Sequence, residues 1–218
     1  VSGDEQDACN LCKIDIVVNQ GSRQILIENN SFQYCINKCI AIQGGIQEVT
    51  LSYNKFLNSY YAILVGLSDS MDRPQARFDG RIQVTIHHNL FSGIRRRQPR
   101  ANRSLFVHLF NNLHDGWGND SSADFAVGST TGAQVLIEND IFIAPSLIKT
   151  AVVYTWPGSG ISDGLIRVRG SYLLGGATIA QSDSGFSFRP TDYYNYSLEV
   201  ANDSLLAKIR SKVGPNAI

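Results

Sequence analysis

Five octets of one form restrict this chain to few folds: ILIENNSF from Ile25, VTLSYNKF from Val49, VTIHHNLF from Val84, VHLFNNLH from Val107 and VLIENDIF from Val135. Each opens with a short apolar or β-branched run and then breaks; four carry Asn at the sixth position (Asn30, Asn54, Asn89, Asn112) and the fifth carries Asp140. The octets start 24, 35, 23 and 28 residues apart, so the unit is one supersecondary turn with loop insertions of varying length. Long helical patterns between the strands are absent. Short strands recurring at one phase without crossover helices predict an all-β chain, a right-handed parallel β-helix whose coils stack on one another. A β-sandwich also has regular short strands, but they alternate more cleanly and turn through Gly-rich hairpins.

On this reading Phe32, Phe56, Phe91 and Phe142 stack inside the coil. The Asn column stacks as well, because Asn tolerates the left-handed backbone of a tight bend and its amide bonds to the coils above and below. Turn chemistry is the preferred role for these residues over catalysis. His87 and His88, adjacent in a strand, should face opposite ways, which argues against a two-histidine metal site. His108 and His114 are expected to be structural. Residues 1–218 are read as one β-helix domain, with 186–218 as a tail packed on the coils.

With 218 residues, 43% hydrophobic and 17% charged, the chain can bury one large core. No apolar run approaches the ~20 residues of a membrane span, so no membrane partner is expected. The opening VSGDEQDACN has neither the cationic nor the apolar part of a signal peptide, which is compatible with a mature or trimmed secreted chain. Five sequons, at Asn29, Asn102, Asn119, Asn195 and Asn202, point to an extracellular glycoprotein. Cys9, Cys12, Cys35 and Cys39 form two pairs about one repeat apart without flanking His. Cross-links from Cys9 and Cys12 to Cys35 and Cys39 are therefore expected, with zinc or free buried thiols as the alternatives.

The sharpest chemical feature is Arg95, Arg96, Arg97, Arg100 and Arg103, five guanidinium groups within nine residues of a chain with zero formal net charge. Such a cluster is local and predicts a confined anion-binding surface, the plain alternative being a solvated basic loop. The neutral balance and the lack of any recognition motif argue against nucleic acid. Tyr60, Tyr61 and Trp117 are candidates to line a sugar groove beside the arginines, with core or loop packing equally open.

The octets, Arg97-Gln98-Pro99-Arg100 followed by Val107-His108-Leu109-Phe110-Asn111-Asn112, and the later ADFAVGSTTGAQVLIENDIF resemble the pectate and pectin lyases of polysaccharide lyase family one. There the patterns run R-x-P-R/K, H-x-x-N-N, and an A-I-G segment leading to E-G-N-x-F. The closing FSFRPTDYYNYSLEVANDSLLAKIRSKVG is similar to the family's tail and terminal helix, so the resemblance runs from about residue 15 to 214. It implies a lyase acting on an acidic polysaccharide. Such enzymes remove the proton at C5 and expel the C4 oxygen, which takes a base, an electron sink and cationic subsites.

The resemblance implies that Arg97 is the base. Arginine normally keeps its proton, and crowding by other cations with partial desolvation is the physical route to releasing it. Arg100 matches a position held by Arg or Lys throughout the family. Arg103, taken as substrate-binding, falls one residue after the second family arginine, with Asn102 in that place. Calcium-dependent members carry acidic ligands at positions matching Glu28, Asn37 and Ala41, of which only Glu28 is acidic here, so no cofactor is expected, with calcium through Glu28 as the lesser alternative. Tyr61 replaces a lysine common in pectate lyases. The pectin lyase branch has an Asp and an Arg where calcium would lie, which fall on Asp15 and Lys38; Lys38 would supply the metal's charge and Asp15 would hold it. Family members are normally longer at the front, so Val1 would sit at an open end of the β-helix, where unpaired strand edges favour association with another chain. A catalytically inactive, glycan-binding or structural β-helix is the competing function.

Overall fold

The structure, a computed structural model, describes residues 14–19, 21–66, 80–118, 124–145, 147–155 and 162–215. Their strands fall into three sheets. Sheet 1 holds β1 (Ile14–Val18), β4 (Lys38–Ile42), β7 (Tyr61–Val65), β10 (Arg100–Asn102), β13 (Val127–Thr130), β16 (Thr150–Val153) and β19 (Thr178–Ile179). Sheet 2 holds β2 (Arg23–Glu28), β5 (Gln47–Ser52), β8 (Gln83–His87), β11 (Phe106–Phe110), β14 (Gln134–Glu138) and β17 (Leu165–Arg169). Sheet 3 holds β3 (Ser31–Gln33), β6 (Lys55–Leu57), β9 (Leu90–Ile94), β12 (Leu113–Trp117), β15 (Ile141–Ile143) and β18 (Tyr172–Leu174).

Every third strand pairs in parallel with its counterpart one coil on, for example Val49 with Val84 and Phe56 with Phe91. The chain visits the three sheets in turn, which is the expected parallel β-helix.

Each octet turns the corner from sheet 2 to sheet 3. Its first, third and eighth residues face inward. The eighth positions stack as Phe32, Phe56, Phe91, His114 and Phe142, with ring centroids 5.0, 4.9, 5.1 and 4.4 Å apart and planes within 10° of parallel. His114 thus fills a rung of the aromatic ladder.

At the corner Asn54, Asn89 and Asn112 each accept from the preceding coil's column residue, with Oδ1 2.9–3.0 Å from its backbone N; Asp140 in turn accepts from Asn112 N at 2.7 Å. The amides of Asn54, Asn89 and Asn112 also donate back to the Ile27, Leu51 and Ile86 carbonyls. Interior rungs must both donate and accept, which an amide does; Asp140, which meets Asn112 and the His114 ring, has no further Asn rung to donate to, so a carboxylate serves.

The left-handed residue at this corner is the fifth of the octet, not the column Asn. Asn29, Tyr53, His88, Asn111 and Asn139 have φ between 52° and 56°, a region that Tyr and His adopt only where surrounding bonds fix it. A sixth octet from Ile166 has Gly170 at this point, where a Cβ would lie 2.0 Å from Asn139 Oδ1. The left-handed turn also corrects the histidine expectation: the strand ends at His87, so His87 and His88 do not alternate, and their Nδ1 atoms lie 3.0 Å apart.

Cys35 and Cys39 pair with each other, Cα atoms 5.2 Å apart, instead of reaching across coils. They bracket the turn from β3 to β4, which already brings them within bridging distance. Cys9 and Cys12 lie outside the described residues.

The tail folds back over the coils. Phe188 stacks on Phe106 at 4.0 Å, and Phe186 and Phe188 cluster with Leu136 on the outside of sheet 2. Helix α1 (Asp203–Lys212) is capped by Asn202, whose side chain accepts from Ser204 N and Leu205 N. Its Leu205 and Ile209, with Val213, bury against Leu90, Leu113 and Ile141 of sheet 3, each such side chain contributing about 1.5–3 kcal/mol. No helix among the described residues is long and apolar enough to cross a membrane.

Candidate functional site on sheet 1

Along the outside of sheet 1 one register row reads Val17, Ala41, Leu64, Arg100, Gly128 and Val153. Arg100 is its single charged member. It is 5% exposed and donates from Nη2 to Thr130 Oγ1 at 3.2 Å. Three residues earlier, Arg97 takes a left-handed turn (φ 63°) and its carbonyl accepts from Ile63 N at 2.8 Å, pinning the segment to β7.

Tyr61 gathers the cations. The Arg97 guanidinium lies 3.8 Å from its ring centroid, and Lys38 Nζ 5.9 Å from it. Tyr60 packs edge-on against Tyr61 at 4.4 Å and carries Arg95 over its own face at 4.8 Å. Burial pushes the Tyr61 hydroxyl above its usual value, and Tyr60 adds to this while Arg97 and Arg96 oppose it. Tyr61 is therefore a neutral aromatic platform for guanidinium and ammonium groups. Lys38 Nζ also donates to Asn37 Oδ1 at 2.8 Å.

The arginine cluster divides. Asp124, its side chain fully buried, accepts from Arg95 Nε at 3.1 and 3.2 Å and from Arg96 Nε. Two guanidinium groups are thus tied to a buried carboxylate, which stops the cluster from repelling itself. In the amino-acid order Asp124 is marked only by its place in the ADFAVGST segment, as an acid one coil beyond five arginines.

A second missed element lies beneath. Gln98, between Arg97 and Pro99, is fully buried and donates from Nε2 to the Ile94 and Gly116 carbonyls at 3.1 Å each. That orientation aims its Oε1 at His114 Nδ1, 3.0 Å away, while His114 Nε2 meets Asp140 Oδ2 at 3.1 Å. The segment that carries Arg97 and Arg100 is thereby tied to the end of the interior column.

Trp117 and Asp15, and the alternative calcium ligand Glu28, are placed differently from their expected roles. Trp117 is 1% exposed and belongs to the core, edge-on to Phe142 at 6.3 Å, so it cannot line a groove. Asp15 stands between Ile14 and Ile16, which pair with Lys38 and Ile40, so it shares the phase of Val17 in the outer row, while Lys38 opens β4 at the other phase and the two do not face each other. Its carboxylate instead contacts Cys35 Sγ at 3.0 Å, and burial raises its pKa. Arg103 follows β10 in a left-handed turn, its N–H donating to the Thr130 carbonyl. Glu28 lies on sheet 2, accepting from Ser52 Oγ at 2.8 Å, away from the sheet 1 row.

A calcium ion fits this donor set poorly. Asn37 and Ala41 bring no carboxylate to β4, and Glu28 is on another sheet. Among the described residues the one trio of His, Cys, Asp or Glu within ligand distance is Asp15, Cys35 and Cys39, whose two sulfurs are bonded to each other. A hard dication takes several oxygen ligands, and among the described residues this face brings Lys38, Arg97 and Arg100 in their place.

A family profile described as pectate lyase matches residues 27–217. Pectate lyase E of Dickeya chrysanthemi is 28% identical over 183 residues, covering 79% of this chain and 45% of that protein. The pectate lyase E of Dickeya dadantii is 30% identical over 185 residues, covering 79% and 43%. The chain thus spans less than half the length of these curated relatives. Among solved structures, a Bacillus pectate lyase in complex with trigalacturonate superposes with a TM-score of 0.71 at 24% identity, covering 93% of this chain and 62% of that one.

Proposed function

The chain belongs to the pectate lyase family, and on that premise we propose that it is an extracellular lyase that cleaves uronic-acid polymers by β-elimination and needs no calcium. The observation that carries this reading is the convergence of Arg97 and Lys38 on Tyr61, at the head of the strand whose Leu64 pairs with Arg100, with Asn37 and Ala41 at the acidic positions. Arg97, in its unprotonated form, takes the C5 proton; the C–H electrons form the C4–C5 double bond, the bond from C4 to the glycosidic oxygen breaks, and that oxygen takes a proton from solvent. Lys38 and Arg100 stabilise the negative charge that develops on the carboxyl group. A methyl ester is a better electron sink than a carboxylate and has no charge for a metal to neutralise, so methyl-esterified polygalacturonan is the preferred substrate. The Cys35–Cys39 bridge supports an oxidising compartment, as a secreted protein would meet.

The competing reading, a β-helix that binds glycan without cleaving it, rests on Asn102. It occupies the family's second arginine position and is 1% exposed, so it offers no charge to substrate.

The test follows ultraviolet absorbance of unsaturated uronide from methyl-esterified polygalacturonan with chelator present. Product should form, and Arg100→Ala and Lys38→Ala should each slow it by about 10²–10³-fold, the loss typical of one oxyanion-type donor. If chelator stops the reaction, the metal-free mechanism is wrong. Polymer binding without product would establish the non-catalytic reading.

A further inference from the structure

A cavity of about 470 Å³ opens on the outside of sheet 2, on a different sheet from the arginine site. Its size falls within the range of about 300–1,000 Å³ that holds small ligands. Strands β5 and β8 form the floor, Phe106 and Phe110 of β11 one side, and the tail residues Tyr193 to Tyr196 the other. The proposed elimination chemistry makes no use of it.

The walls are fixed before any ligand arrives. The Tyr194 hydroxyl is held between Thr85 Oγ1, which donates to it at 2.9 Å, and His108 Nδ1 at 2.7 Å. Tyr196 donates to Glu138 Oε2 at 2.6 Å. Burial raises the pKa of both phenols, that of Tyr194 to about 12, so both stay neutral. Clamped aromatic rings lose little freedom when a ligand packs on them.

His87 supplies a directional polar group. Lys208 holds the Glu199 carboxylate ionised, its Nζ 2.6 Å away, and depresses its pKa. Glu199 Oε1 then accepts from His88 Nε2 at 2.8 Å. His88 Nδ1 faces His87 Nδ1 at 3.0 Å, so one of the two donates to the other. His87 lines the cavity, and with Nδ1 so engaged its Nε2 is the ring nitrogen that remains for a ligand. Burial, with His88 and His108 beside it, holds His87 down to about 4, so the ring stays uncharged at neutral pH.

No Lys or Arg among the described residues lines the cavity, and its one formally charged member, Glu48, is acidic. An anionic uronide is therefore mismatched in charge. Tyrosine rings, the His87 ring nitrogen, the Glu48 carboxylate, and Thr50 and Gln83 match the hydroxyl groups and the apolar face of a sugar ring. We propose that this cavity is a second glycan site that binds a neutral, hydroxyl-rich pyranose unit, holding uncharged polysaccharide while the arginine face addresses the charged polymer.

The test titrates the unglycosylated full chain with galactobiose, cellobiose, mannobiose and digalacturonate, following ligand saturation-transfer and tyrosine NMR signals. At least one neutral disaccharide should bind with a dissociation constant on the order of 1 mM and perturb Tyr193, Tyr194 or Tyr196. Tyr193→Ala, on the exposed tail, and His87→Phe, which keeps the stack on Phe110 but removes the ring nitrogens, should each weaken binding about tenfold. Arg97→Ala should leave it unchanged. The proposal is overturned if none of the neutral sugars binds at about 10 mM, if digalacturonate occupies the cavity as well as they do, or if neither cavity variant alters binding.

Discussion

The inside and the outside of the coil follow opposite rules. Inside, the register row Phe32, Phe56, Phe91, His114, Phe142 keeps one shape through five levels. Outside sheet 1, the row Val17, Ala41, Leu64, Arg100, Gly128, Val153 changes at every level. Parallel strands stack about 4.8 Å apart, so an interior side chain meets the same surroundings one coil on and the same residue solves the same problem. The outer face meets solvent or substrate, which imposes no such repeat. Substitutions inside should therefore cost stability, and substitutions in the groove should cost rate.

The largest effect that would break this division is expected at Arg97. Arg97→Ala should lower turnover by about 10²–10⁴-fold, the span associated with a positioned proton-transfer group. Its thermal midpoint should stay near that of the parent, because the side chain is only partly buried and stacks on Tyr61 at the surface. Unfolding of this variant, or full activity in it, would remove Arg97 from the base's role.

This difference also explains what could be read from the amino-acid order. The column and the aromatic stack were legible because Asn30 to Asp140 repeat at one phase, and only the identity of the left-handed residue was misassigned: Tyr53 and His88 carry no mark of such a turn. In the groove, Arg97 and Arg100 were visible through the R-x-P-R pattern, yet the partners were not. Asp124 pairs with Arg95 and Arg96 across 29 and 28 residues, and no period links them. Asp15 was matched to Lys38 by strand alignment, but a one-residue shift in register moves a side chain to the other face. Trp117 failed for a related reason: at the end of β12 its inward phase was hidden by neighbouring glycines.

Next in size is the cost of interrupting the column. Asn89→Ala removes the acceptor of Asn54 N and Nδ2 and the donor to Leu51 O and His87 O, all in the buried corner. Buried groups left without partners cost about 1–3 kcal/mol each, so denaturant unfolding should show a loss of about 3 kcal/mol. Activity of the fraction that remains folded should be near normal. A loss of less than about 0.5 kcal/mol would mean that the column records turn preference alone.

A smaller change is expected where the two regions meet. His114→Phe restores an all-phenylalanine stack but strands the buried Gln98 Oε1 and leaves the buried Asp140 Oδ2 only the long 3.4 Å bond from Asn112 Nδ2. Stability should fall by about 1–3 kcal/mol, and adding Asp140→Asn should recover part of it, since the stranded group is then neutral. Because Gln98 lies between Arg97 and Arg100, kcat should fall while KM changes little. Faster hydrogen exchange across residues 95–100, with β6 unaffected, gives a readout that does not require activity. Unchanged exchange there would show that the interior does not position the segment.

The smallest effect separates His87 from its neighbours on sheet 2. Its folded-state value is held down to about 4 against an ordinary 6.5, by burial first and then by His88 and His108. Between those values the unfolded chain binds a proton that the native protein excludes, so stability rises with pH across this window. The contribution is complete above about 6.5, shrinks on acidification and is gone below about 4. Glu138 and Glu199 also lose stabilising effect in acid, but their depressed values begin from 4.5 and act mainly at the lower end. Replacing the group by His87→Gln should therefore flatten the fall in unfolding free energy between pH 6.5 and 4.5 without altering the steeper loss below it. If wild type and variant show the same slope in that window, His87 is not held neutral by its surroundings, and the uncharged ring nitrogen it offers the cavity loses its support.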